Sequence, residues 1–166
     1  MTRLRGRVPL GQRGMALLVS LVFLLLLTLI GLSSLQNATL QEKMAASLTL
    51  HNHAFQAAEA ALRVGESAVQ QDDFRLPVCA SPVQCAPPAE SALVKAPGVN
   101  AASAVLWIAS GSGFYGVQNL GVSQDAVNVP SNTPATLYRV TAVGLAGQSR
   151  SVLAVSYTHL RAPVSY

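Results

Sequence analysis

Two different hydrophobic periodicities follow one another along the first seventy residues. From Met15 to Gln41 there is no charged residue, and residues 15–32 (MALLVSLVFLLLLTLIGL) are apolar except for Ser20, Thr28 and Gly31. A helix of about 20 such residues spans the ~30 Å hydrocarbon core of a bilayer, so a membrane helix is predicted over 15–35. Ser20 and Thr28 can return their hydroxyls to a carbonyl one turn back, which makes them inexpensive in lipid. Further on, Leu48, Phe55, Leu62 and Val69 recur every seven residues, flanked at three- and four-residue offsets by Met44, Ala58 and Gly65. Gln41, Glu42, Lys43, Gln56, Glu59, Arg63 and Glu66 largely occupy other faces, as an amphipathic helix over 36–71 requires. No proline occurs between Pro9 and Pro77. One continuous helix is therefore expected from about Met15 to about Gln71, roughly 85 Å at the α-helical rise. The alternative is a kink near Gly31-Leu32-Ser33-Ser34, with a separate soluble helix after it.

Past Asp72 the pattern changes again. Pro77, Pro82, Pro87, Pro88 and Pro97 and both cysteines crowd into 72–100, which reads as a surface loop tract. Strands are predicted at 105–108 and 113–117, and the clearest pair at 137–143 and 151–157. Residues 144–148 (GLAGQ) supply a short turn between that pair. A small antiparallel sheet with one face on the helix stripe buries both apolar sides, giving an α+β fold with a globular region over 72–157. Residues 158–166 continue no pattern and are left unassigned.

Charge adds topology rather than a ligand. The formal net charge is +4, and Arg3, Arg5, Arg7 and Arg13 alone supply it within the first fourteen residues. The remaining seven basic residues meet seven acids, so the body is formally neutral. A nucleic-acid-binding domain carries its Lys and Arg on the folded body, and no nucleic-acid partner is expected. Arginines on one side of an apolar helix stay cytoplasmic by the positive-inside rule. The chain is thus expected to be single-pass in a bacterial inner membrane, with its C-terminus periplasmic. An ordinary secretory signal is the competing reading. However, its apolar run is usually 7–15 residues, and no A-x-A-like site ends this one. Gly14 instead separates the arginines from the apolar run, so cleavage there would remove the leader 1–14 and keep the helix.

Gln12-Arg13-Gly14-Met15-Ala16-Leu17-Leu18-Val19 resembles a type IV prepilin leader junction. Thr39-Leu40-Gln41-Glu42-Lys43-Met44-Ala45, followed by Ala54-Phe55-Gln56-Ala57-Ala58-Glu59-Ala60-Ala61-Leu62-Arg63, is similar to the N-terminal half of the PilX family of minor pilins. The resemblance implies a pilin-like fold, cleavage between Gly14 and Met15 by prepilin peptidase, and methylation of the new N-terminus at Met15. It also implies assembly through an inner-membrane platform with other minor pilins, the major pilin and a tip adhesin. One residue departs from the pattern. Most type IV pilins carry Glu at the fifth mature position, and here it is Val19. The K-type pseudopilin of type II secretion also lacks that acid, and it resembles a filament tip. The expected function is minor-pilin participation in pilus assembly or initiation, at or near the tip. A type II secretion pseudopilin and a generic single-pass membrane protein are the alternatives.

The remaining chemistry is sparse. Cys79 and Cys85 are the only cysteines, and such a pair in a periplasmic loop is expected to form a disulfide. No nearby residues complete a four-ligand metal set. Gly111-Ser112-Gly113-Phe114-Tyr115-Gly116 spells the dinucleotide fingerprint, but Val117-Gln118-Asn119-Leu120 makes a poor helix to follow it. His51 and His53 stand two apart on a helix and cannot converge on one metal. Asn37-Ala38-Thr39 fits a glycosylation sequon inside the long helix. No catalytic, metal or cofactor residue is assigned, and the chain is not expected to be an enzyme.

Overall fold

The computed structural model describes residues 13–124, 126, 130 and 133–159. The chain divides into two compact units, Met1–Ala46 and Ser47–Tyr166. Helix α1, Arg13–Val69, is 57 residues long and contributes to both. It is unbroken through Gly31-Leu32-Ser33-Ser34, so the predicted helix is one continuous element rather than two. It ends at Val69, two residues before the expected position. There Gln71 N donates to Ala68 O in a tightened last turn, and Asp72 and Asp73 follow. Acids are unfavourable at the negative end of a helix dipole, and α1 has no basic residue in its last turn to offset them.

In the first unit, the described helical residues are all exposed from Met15 onward. The hydroxyls of Ser20, Thr28 and Ser33 donate to Leu17 O, Leu25 O and Leu29 O at 2.8, 2.7 and 3.0 Å, which satisfies those three groups within the helix. By length and composition the helix is able to cross a membrane.

In the second unit, five antiparallel strands form a meander in the order β1-β2-β3-β4-β5. They are β1 Gly98–Val99, β2 Leu106–Ser110, β3 Gly113–Ser123, β4 Ala135–Ala146 and β5 Ser149–His159. Strands β3, β4 and β5 run well beyond their predicted cores. β3 continues through a register shift between Asn119 and Gly121. β4 continues through Gly144, which the sequence reading placed in the turn. β5 adds Thr158 and His159, which pair with Leu137 and Thr136. The fold is therefore α+β, one long apolar helix packed on a five-stranded antiparallel sheet.

The helix meets the sheet along Ala54, Ala58, Ala61, Leu62 and Val69, all buried. Of these, Ala61, Leu62 and Val69 pack with Tyr115, Tyr138, Val140 and Ala142. Here the predicted stripe needs correction. Leu62 and Val69 are in the core, but Leu48 is 62% and Phe55 44% exposed. A strict seven-residue repeat drifts by about 20° per heptad on a straight helix, so the row turns off the sheet towards its N-terminal end. The true contact row follows steps of three and four and uses alanine. Gly144 completes that contact, since a Cβ on it would meet Ala54 O and the backbone of Ala58. The small residues set the approach distance, and no larger side chain fits between helix and β4.

Candidate functional site: an apolar helix surface and a disulfide-closed strap

Two features of the chain exceed what a generic fold needs, and each arises from a distinct stretch of sequence. The first is the surface of α1 over 15–50. Met15, Leu17, Leu18, Val19, Leu21, Val22, Phe23 and the leucines that follow all stand between 40% and 69% exposed. Each such side chain gains about 1.5–3 kcal/mol when it leaves water, so this surface is stable only against lipid or other helices. Val19 lies on it as a plain apolar residue with no carboxylate nearby in the helix. Gly14 and Met15 follow directly on Arg13, where α1 begins. Of the predicted leader 1–14, residues 1–12 lie outside the described residues.

The second feature is the strap over 71–105, which begins on the α1 side, where Phe74 and Leu76 pack against the main core, and then passes to the opposite face of the sheet. Ser81 caps the short helix α2, Pro82–Cys85, by accepting from Gln84 N, and Pro82 opens its first turn. That single turn brings Cys85 back to Cys79, and the two form a disulfide with their Cα atoms 5.3 Å apart. The pairing expected from sequence is present. Closing this turn leaves the carbonyls of Gln84, Cys85 and Ala86 pointing away from the helix, and the sheet supplies their donors. Gln118 Nε2 donates to Gln84 O at 2.5 Å and Ala86 O at 2.9 Å. Arg139 Nη1 donates to Cys85 O at 2.7 Å, and Asn119 Nδ2 to Leu76 O at 2.7 Å. Further along, Arg150 Nη1 donates to Ser91 O at 3.0 Å. Cys79 N reaches Asn119 O, so the strap also gains one backbone bond to β3.

Beneath the far end of the strap lies a second small core of Val94, Val105, Trp107 and Val143. Glu90 Oε1 accepts from Ser103 Oγ and from Trp107 Nε1, tying the loop to β2. Gln118, Asn119, Arg139, Arg150 and Glu90 were not singled out from sequence. The one available signal was Gln118-Asn119, two polar residues in a run that continues a strand. Both are buried, at 5% and 6% exposure.

The other motifs resolve as ordinary structure. Gly111 and Ser112 form the β2–β3 turn, with Gly111 at φ 55°, and Gly113 to Gly116 are strand residues. No helix follows the fingerprint. His51 and His53 are exposed on α1, and no group of three or more metal-capable side chains occurs among the described residues.

The architecture, an exposed apolar N-terminal helix and a sheet-based globular region, is consistent with an α+β pilin fold. Residues 13–63 match the family model of the PilX N-terminal region, which supports a PilX-family pilin, the type IV pilus minor pilins. The matched segment is nearly the whole of α1 and includes none of the sheet. Comparison with curated proteins and with solved structures returned no match. A pilin assignment implies a structural, non-enzymatic protein that interacts with other pilus components. With the apolar helix, it points to a membrane-anchored subunit.

Proposed function

We propose that this chain is a minor pilin that takes part in starting type IV pilus assembly, at or near the pilus tip. The observation that carries the reading is the PilX N-terminal match lying on a helix whose apolar surface is wholly uncovered over 15–50. Prepilin peptidase would cleave between Gly14 and Met15, and Met15 would be N-methylated. The helix would then leave the inner membrane for a bundle of other pilin helices on the assembly platform, with the globular region periplasmic. Small residues such as Ala16 and Gly31 permit close helix approach in such a bundle. Other minor pilins, the major pilin and a tip adhesin are the partners this reading implies.

Val19 supports the tip position. A carboxylate at a helix centre in lipid costs about 2.5–3.5 kcal/mol on insertion scales, so it is retained only where a partner offsets that cost. A shaft subunit without it would leave a neighbouring N-terminal ammonium unpaired in each repeat, several kcal/mol each time. At a terminal position the cost arises once or never. Val19→Glu is accordingly expected to bring no gain in assembly. Labelling the subunit on whole pili tests the placement: label at few sites per pilus, with deletion lowering pilus number more than pilus length, is the expected result. Regular decoration of the shaft would remove the tip reading.

A further inference from the structure

The two edges of the sheet are unlike. β1 is two residues long and follows directly on Pro97, so that edge offers almost no backbone for pairing. β5 is eleven residues long, ends the strand order, and pairs with β4 through eleven consecutive residues without a register shift. In an antiparallel edge strand every second residue turns both its N–H and its C=O outward. A strand of this length therefore offers about five such residues on its free side, and among the described residues no strand pairs there.

Proteins that keep such an edge in water blunt it with proline, lysine, a bulge or an inward charge. β5 has none of these. Its sequence SRSVLAVSYTH contains no proline, no lysine and no acid. Its one arginine, Arg150, stands at the start of the strand with its guanidinium on Ser91 O of the strap. Residues 151–157 combine β-branched and aromatic side chains with zero charge, the composition that pairs edge to edge most readily. On the helix side, Leu153, Val155 and Tyr157 pack against the rim of the main core and are only partly buried. An added strand would cover that row as well as the backbone. On the opposite side Val152 is 41% exposed, and Ala154 and Ser156 are exposed too.

We propose that the free edge of β5 is a strand-addition site for an extended segment of a different polypeptide, which carries apolar side chains at alternate positions facing Leu153, Val155 and Tyr157. A second copy of this chain does not fit. Antiparallel β5–β5 pairing places a two-fold axis perpendicular to the sheet. That axis reverses the α1 segment packed on the sheet, so the two helices would run in opposite directions. Subunits drawn from one membrane into one filament keep their helices parallel. This exclusion rests on the pilus reading above; the open edge itself does not. A strand contributed by another protein carries no such orientation requirement, and its main-chain bonds supply affinity while alternate side chains supply specificity.

The test places a photo-crosslinking residue at Val152, Ala154 or Ser156 in the full chain, in cells that make pili, with Val83 on α2 as the exposed control. All four positions are exposed, and Trp107 fluorescence of each variant checks that the fold is retained. The expected result is a set of adducts on one segment of another polypeptide, advancing by two residues for each two-residue step along β5. Unmodified chain in the assembled state should also show alternate β5 amides exchanging about tenfold more slowly, or slower still, than in purified protein. Adducts on β5 of a second copy, or on this chain's own residues, would overturn the proposed occupant. Scattered adducts, adducts no stronger than at Val83, or unchanged exchange would overturn the site itself. Because adducts are read from the membrane fraction as well as from pili, failure of the pilus reading would leave this result intact.

Discussion

On one face of the sheet, Ala54 and Ala58 meet Gly144, and Ala61 packs with Val140 and Ala142; on the other, Gln118, Arg139 and Arg150 reach across to the carbonyls of a looping strap. The first face is closed by shape and by removal of apolar area from water. The second is closed by donors matched to carbonyls that a disulfide holds in place. The difference follows from what each partner can offer. A long helix satisfies its own backbone and presents only side chains, so small residues and close approach are the means available. A strap with little regular structure leaves carbonyls unpaired, and each of those must find a donor if it is covered.

The most damaging change should fall on the first face. Gly144→Val would drive a side chain into the backbone of Ala54 and Ala58. Backbone cannot yield as a side chain can, so a loss of about 3 kcal/mol or more is expected, read as a lowered denaturant midpoint for the full chain in detergent. Strap variants should cost less and act locally. Arg139→Met removes a charged donor from Cys85 O and is expected to cost about 1.5–3 kcal/mol, with Trp107 emission changing before the helix signal does. If helix and strap were instead lost together at every denaturant concentration, the two faces would not be separable.

Reduction of Cys79–Cys85 should cost on the order of 2 kcal/mol, because the loop it closes is short. Both thiols should resist alkylation until a reductant is added; labelling without one would show the loop open. A smaller effect of opposite sign is expected at Thr141, whose buried Oγ1 has no partner among the described residues. Thr141→Val removes that hydroxyl at nearly constant shape and should raise stability by about 1 kcal/mol. Phe55→Ala should change the stability of the isolated chain by less than about 0.5 kcal/mol, because the ring lies outside the helix–sheet contact. A loss of several kcal/mol would restore Phe55 to the core.

The same contrast explains what could be read in advance. The helix was legible from 15 onward because an apolar run and the absence of proline are local properties. The β4–β5 pair was legible because alternation and a turn lie next to each other in sequence. The error at Leu48 and Phe55 came from giving weight to large apolar residues, whereas close packing against a sheet selects alanine and glycine. The strap was legible only as a loop with a disulfide. Its donors lie 32 to 59 residues from the carbonyls they serve, as in Gln118 to Ala86 and Arg150 to Ser91. No local pattern encodes such a pairing, and a polar residue inside a strand looks like a solvent-facing one until its partner is known.

The central claim is that the apolar helix over 15–50 belongs to a processed pilus subunit, and the mass of the chain recovered with sheared pili tests it most directly. The account expects a chain that begins at Met15, carries one N-methyl group, and is enriched in the pilus fraction over the membrane. A chain that retains Arg3 to Arg13 in cells with active prepilin peptidase, or that is missing from the pilus fraction while abundant in the membrane, would contradict it.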